Sequence, residues 1–224
     1  MNSEDAGASL KNLETAVEKL VQYHLDQGSK LTREELRAMS EGLVNVLLVS
    51  KGALGKAAKK DLFRVVSAQW IYESGWGTSK LSYKYKNFAG IKFRKELDHL
   101  PGCKSVEYTD WEGTTHQAYS CSTYNDFVKL YWAFLERTPY IGHTRLFSRP
   151  RRWLRFIAEQ WVWTISGVDR EDFPRGRRGD RQYKKAVRDT YCERIFDLMD
   201  RPVFKELVKW IDEEMDAPSP EKFT

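Results

Sequence analysis

Apolar residues recur along this chain mostly at three- and four-residue intervals, the spacing of one face of an α-helix. Leu10, Leu13, Val17, Leu20 and Val21 form such a stripe. It predicts a helix that closes near Gln27-Gly28, after an opening seven residues that read as disordered. Thr32-Arg33-Glu34-Glu35 has the form of a capping box, which opens a second helix through Leu36, Met39, Leu43 and Leu47. Two amphipathic helices joined by a short turn predict a helical hairpin over residues 1–55. Its role is either to buttress the rest of the chain or to act as a docking or export element. Lys51-Gly52 through Lys59-Lys60 reads as a linker.

The next stripe, Leu62, Val66, Gln69 and Glu73, runs at i, i+4, i+7, i+11 and is cut off by Ser74-Gly75-Trp76-Gly77. An aromatic, glycine-punctuated loop follows to Arg94. Over residues 91–122 the period changes. Val106, Tyr108, Trp111, Tyr119 and Cys121 among Gly and Pro predict short strands with a hairpin turn at Glu112-Gly113. Thr123-Tyr124-Asn125-Asp126 caps a further helix with Phe127, Leu130, Tyr131, Phe134 and Leu135 inward, ended by Pro139-Tyr140. Another starts near Ser148-Arg149-Pro150 and carries Trp153, Phe156, Ile157, Gln160 and Trp161. Asp180 is placed to cap a helix through Tyr183, Val187, Tyr191, Ile195 and Leu198. Pro202 separates it from a last helix bearing Phe204, Leu207, Val208 and Ile211. The class is therefore α+β, mostly α, with a main domain over 56–216 and a tail over 217–224.

Composition narrows the picture. The 224 residues are 41% hydrophobic with eight Trp, enough for one sizeable core. A mean hydropathy of -0.62 and the lack of any long apolar run exclude a transmembrane helix. A net charge of +5 favours anionic partners such as cell wall, lipid or nucleic acid. Ten arginines lie between Arg145 and Arg181, concentrated in 148–155 and in a glycine-containing stretch at 174–181 that reads as a flexible loop.

Two sets of residues could carry chemistry. The first is Glu73, a carboxyl on the apolar side of its helix and beside an aromatic loop. Lost hydration raises the pKa of such a group, so it holds a proton that a leaving oxygen can take. The second is His99, Cys103, His116 and Cys121, which have zinc-ligand chemistry. Leu100-Pro101-Gly102 interrupts the first pair, so free thiols are expected, with Cys103–Cys121 pairing across the hairpin as the oxidised alternative. No metal and no cofactor are expected.

Ala68-Gln69-Trp70-Ile71-Tyr72-Glu73-Ser74-Gly75-Trp76-Gly77-Thr78-Ser79, followed by Asn87-Phe88-Ala89-Gly90-Ile91-Lys92, resembles the glucosaminidase family of peptidoglycan hydrolases (glycoside hydrolase family 73). The resemblance covers roughly residues 60–200. It implies a lysozyme-like catalytic domain with a small β lobe, and cleavage of the β-1,4 bond after N-acetylglucosamine. It implies Glu73 as the general acid, with Trp76 and Phe88 lining the sugar cleft. Asn87 would hold the N-acetyl group or order its loop, and Tyr140 would belong to the binding site. The family's second carboxylate maps best onto Glu107, with Glu112 and Asp110 as rivals, or is replaced by the substrate's own N-acetyl group. The family's late cleft tyrosine has no clear counterpart, since only Asp180-Arg181-Gln182-Tyr183 matches, and Trp163 is an alternative occupant.

The expected partner is the peptidoglycan glycan strand, together with delivery machinery or an immunity or inhibitor protein. Neither nucleic-acid binding nor membrane insertion is expected. No secretory signal is visible at the N-terminus, which implies synthesis in the cytoplasm and delivery to the wall as a phage lysin or secreted effector. Muramidase or lytic transglycosylase cleavage on the same fold, a silent glycan-binding module, and a nucleic-acid-binding protein are the alternatives.

Overall fold

The structure, a computed structural model, describes residues 3–54, 60–110 and 113–216. Helix α1 spans Ser3–Asp26, so most of the stretch expected to be disordered is helical. Gly28 takes the left-handed conformation just beyond its end (φ 75°). Helix α2, Arg33–Leu54, opens on the expected capping box. Thr32 N–H donates to Glu35 Oε2 at 2.8 Å, and Glu35 N–H donates back to Thr32 Oγ1 at 3.2 Å. The helix runs past Lys51-Gly52, which had read as linker. Tertiary contacts hold it there: Leu54 is buried, and Lys51 Nζ sits 2.5 Å from Asp212 Oδ1, both side chains almost wholly covered. The rest of that linker, 55–59, lies outside the described residues.

Helix α3, Lys60–Ser74, is the centre of the molecule. Leu62, Phe63, Val66, Trp70 and Ile71 are all fully buried. A fully buried side chain of this size contributes about 1.5–3 kcal/mol. The loop after α3 contains a short helix, α4 (Lys80–Tyr85), that the hydrophobic pattern did not signal. Its determinant is local: Ser79 Oγ accepts from Ser82 N–H at 3.2 Å, and Lys86 closes it in the left-handed region (φ 51°).

Strands β1 (Cys103–Thr109) and β2 (Thr115–Cys121) form the antiparallel hairpin, with Val106 opposite Ala118 and Cys103 opposite Cys121. Gly113 turns the tip (φ 82°), its N–H donating to Asp110 O at 3.1 Å. Trp111 and Glu112 lie outside the described residues. The two thiols face each other at 3.5 Å as free cysteines. His116 is bound to Asp110 Oδ2 at 3.0 Å and His99 is exposed, so the four zinc-type residues do not converge.

Helix α5, Tyr124–Leu135, begins on a complete Thr123/Asp126 capping box. Helix α6, Pro150–Trp161, starts with proline in its first turn. Helix α7, Arg177–Asp200, starts a turn earlier than expected, with Asp180 inside it rather than capping it. The glycine at 179 explains the difference. A Cβ there would lie 1.6 Å from Pro174 O, so this residue allows backbone to touch backbone and does not loosen a loop. Arg170 fastens the same segment through Asp180 Oδ1 at 2.5 Å and Phe173 O at 3.0 Å. Helix α8, Pro202–Asp216, returns to pack on α1 and α2.

The result is the α+β, mostly α, lysozyme-like arrangement. One hydrophobic cluster runs from Val17, Leu20 and Val21 of α1 through α3 and α5 to Ile195 of α7 and Ile211 of α8. No described helix is long and apolar enough to cross a membrane.

Candidate active site

The acid site begins where α3 stops. Gly75 N–H donates to Tyr72 O at 3.3 Å and Trp76 N–H to Ile71 O at 2.8 Å, a Schellman closure with Gly75 left-handed (φ 56°). Glu73 is thereby fixed in the last helical turn, at the negative end of the helix dipole, where a carboxylate is disfavoured.

Its carboxyl lies in a cleft of about 500 Å³ lined by residues of α3, the 89–94 segment and the 160–165 segment. Tyr191 of α7 donates its hydroxyl to Glu73 Oε1 at 2.5 Å, and Trp161 at the end of α6 donates Nε1–H to the same oxygen at 2.9 Å. No donor among the described residues reaches Oε2. Burial is the main influence on this group and pushes its pKa up, against the two hydrogen bonds, which pull it down. The protonated form of Glu73 is thereby favoured more than in a solvated glutamate.

The donors are themselves held. Tyr191 Oη accepts from Gln69 Nε2 at 3.2 Å, and Gln69 Oε1 accepts from the Tyr131 hydroxyl at 2.7 Å. The chain Tyr131–Gln69–Tyr191–Glu73 thus runs in one direction, and each bond polarises the next. Burial raises both tyrosine pKa values well above the ordinary phenol range, so neither gives up its proton to the acid.

The far wall, residues 162–168, is pinned by Arg194 of α7, which donates to Ser166 O at 2.6 Å, Ser166 Oγ at 3.0 Å and Tyr72 Oη at 3.3 Å. Trp163 stands on this wall 64% exposed, with Lys184 Nζ 4.8 Å from its ring centroid. Tyr140 also lines the cleft, its phenol pushed up to about 12 by burial.

The other expected site residues fall elsewhere. Trp76 is 8% exposed and packs on Tyr23 of α1 with ring centroids 4.7 Å apart. Phe88 is 1% exposed and packs on Phe127 of α5. Both rings belong to the hydrophobic core, and neither is among the residues lining the cleft. Asn87 is buried, and its side chain bonds to backbone groups around it. Nδ2 donates to Ile91 O (2.9 Å) and Tyr119 O (3.1 Å) and Oδ1 accepts from Ile91 N–H (2.9 Å), which stitches the loop to β2. Glu107 is exposed on β1 opposite Gln117. Asp110 is occupied by His116 and by Thr114 N–H, and Glu112 lies outside the described residues. The first arginine cluster, with Arg64 and Asp61, borders a separate cavity of about 450 Å³ at the N-terminal ends of α3 and α6.

Tyr191 and Trp161 had read only as members of apolar stripes. Gln69 gave the available signal, a second polar group one turn from Glu73 on a buried face.

With this geometry in hand, comparison with known families adds one finding. The glucosaminidase family model, described as mannosyl-glycoprotein endo-beta-N-acetylglucosaminidase, matches residues 56–201. The chain belongs to the glucosaminidase family. No curated protein and no solved structure matches it at a significant level. The segment that matches the glucosaminidase family contains Glu73, Trp161, Tyr191 and Gln69, whereas α1 and α2 precede it. The fold and this membership make the chain a glycoside hydrolase by family.

Proposed function

We propose that the protein hydrolyses the β-1,4 glycosidic bond after N-acetylglucosamine in peptidoglycan, with Glu73 as general acid. The observation that carries this reading is the setting of Glu73: a half-buried carboxyl lining the cleft, its pKa raised by burial, and anchored through Oε1 by Tyr191 and Trp161. Oε2–H protonates the glycosidic oxygen as the bond to C1 breaks. The carboxylate left behind is already met by the Tyr191 and Trp161 donors, which need no reorganisation when the charge forms.

The second group in this proposal is the substrate's own N-acetyl carbonyl. Its oxygen attacks C1 while Glu73 gives up its proton, and a water, deprotonated by the Glu73 carboxylate, then opens the cyclic intermediate. The solvent-facing position of Glu107 and the engagement of Asp110 support this choice over a hairpin carboxylate. Tyr140 and Trp163 supply aromatic surface for the sugar rings.

The test is mass spectrometry of fragments released from purified sacculi. Wild type should yield reducing N-acetylglucosamine ends, and Glu107→Gln and Glu112→Gln should yield them at similar rates. Reducing or anhydro-muramic ends would replace the bond cleaved, and loss of activity in either glutamine variant would restore a hairpin carboxylate.

Tyr191→Phe gives a finer test of the acid. Losing a donor to the carboxylate raises the proton affinity of Glu73, so the alkaline limb of the pH–rate profile should move to higher pH. Below that limb kcat should fall about tenfold, because a hydrogen bond to a charged group is lost from the state after proton transfer. An unmoved limb would separate Tyr191 from the titration of Glu73.

A further inference from the structure

The cleft carries charge of only one sign when Glu73 holds its proton. Residues 91–94 run extended beside the hairpin, with Lys92 bridged to Ala118 and Phe93 N–H donating to Gln117 O at 2.9 Å. Alternation along such a segment turns Phe93 to one side, where it packs on Tyr119 (centroids 5.3 Å apart), and Lys92 and Arg94 to the other. Both cations line the cleft, both are exposed, and neither is held in an ion pair among the described residues, although Arg94 exerts a weak pull on nearby Glu96. The Arg94 backbone is clamped by Tyr119, whose hydroxyl donates to Arg94 O at 2.7 Å. Every other residue lining the cleft besides Glu73 is uncharged.

Burial is the main influence on Glu73, and the causes of its shift include neither cation. Both side chains present their charge to whatever occupies the cleft. We infer that Lys92 and Arg94 select glycans that carry carboxylates, the free acids of the peptide stems on alternate sugars, over neutral glycans with the same β-1,4 N-acetylglucosamine linkage. The inference rests on the glycosidase reading above and names the substrate class of that same cleft. A mannose-bearing N-glycan core and a chitin oligomer offer the bond but no anion; a muropeptide strand offers both. Arg94 can take a carboxylate through two parallel N–H bonds, and Lys92 acts as a point charge.

The experiment uses solubilised peptidoglycan strands with intact stems, the same strands after carbodiimide coupling of their carboxyls to ammonia, and neutral chito-oligosaccharides. Release of reducing ends is followed at low and at high salt. Wild type should show kcat/KM about tenfold higher on native than on amidated strands, each exposed ion pair contributing a few-fold. The gap should lie mostly in KM and narrow with salt. In Lys92→Met/Arg94→Gln the native-to-amidated ratio should fall to about one, whereas Lys92→Arg/Arg94→Lys should retain it. Thermal melts of each variant check that the fold persists. Equal wild-type rates on native and amidated strands would overturn the inference while leaving the glycosidase reading intact. A ratio unchanged in the Met/Gln variant would do the same. No reducing ends from any of the three substrates would overturn the reading and the inference together.

Discussion

Glu73→Gln is expected to lower kcat on peptidoglycan by about 10³-fold, within the range a positioned general acid contributes, while the chain stays folded and in some conditions becomes more stable. Glutamine keeps an oxygen where Oε1 accepts from Tyr191 and Trp161, so the surrounding network survives and only the transferable proton is lost. The stability change follows from the direction of the Glu73 shift. In the unfolded chain this carboxyl titrates at its ordinary value of 4.5, and in the folded chain above it. Between those two values the folded state binds more protons, so wild-type stability declines as pH rises through the window. The Gln variant has no such decline. Its melting temperature should match that of wild type below the ordinary carboxyl value of 4.5 and exceed it once pH has risen past the folded-state value, by linkage. Parallel pH–stability curves for the two proteins would mean that Glu73 titrates as an ordinary solvated acid, and would remove the basis for its role.

Lys51→Met should have the largest effect on stability alone. Lys51 Nζ and Asp212 Oδ1 are 2.5 Å apart with side-chain exposures of 5% and 9%, and the ammonium also lies 5.0 Å from the Phe63 ring centroid. Removing the cation leaves the Asp212 charge buried without it, at a cost of about 3–5 kcal/mol. Urea denaturation should show this as a lower midpoint with an unchanged slope. The double variant Lys51→Met/Asp212→Leu should recover most of the loss, since an apolar pair of similar volume replaces a desolvated ion pair. A loss under about 1 kcal/mol in the single variant would place the pair in the class of exposed ion pairs.

Most of the fold was legible because its determinants are local. Thr32 and Thr123 open helices with boxes four residues long, Pro150 starts α6, and Gly75 ends α3 immediately after the acid. Glu73 was legible for the same reason, since its side chain shares a stripe with Leu62 and Val66. Its partners were not. Tyr191 is 118 positions away and Trp161 88 positions away, and nothing in either local pattern separates a donor from a core aromatic. Trp76 and Phe88 illustrate the converse. Their loop has two sides, and only the return of α1 and α5 behind it decides which side is apolar. The early start of α7 was hidden because glycine between arginines reads as looseness until the Pro174 carbonyl is seen against residue 179.

The contact between Trp76 and Tyr23 bears on how this enzyme could be taken apart. The family segment begins at residue 56, which invites a shorter version cut there. Such a version would strip away the ring that covers Trp76, three positions after the acid, and would bare Leu36, Leu43 and Leu47's partners across α3 and α5. The family segment is therefore not a portable cassette. Fusions, swaps or truncations of this glucosaminidase should carry α1 and α2 with it, and junctions belong outside that boundary.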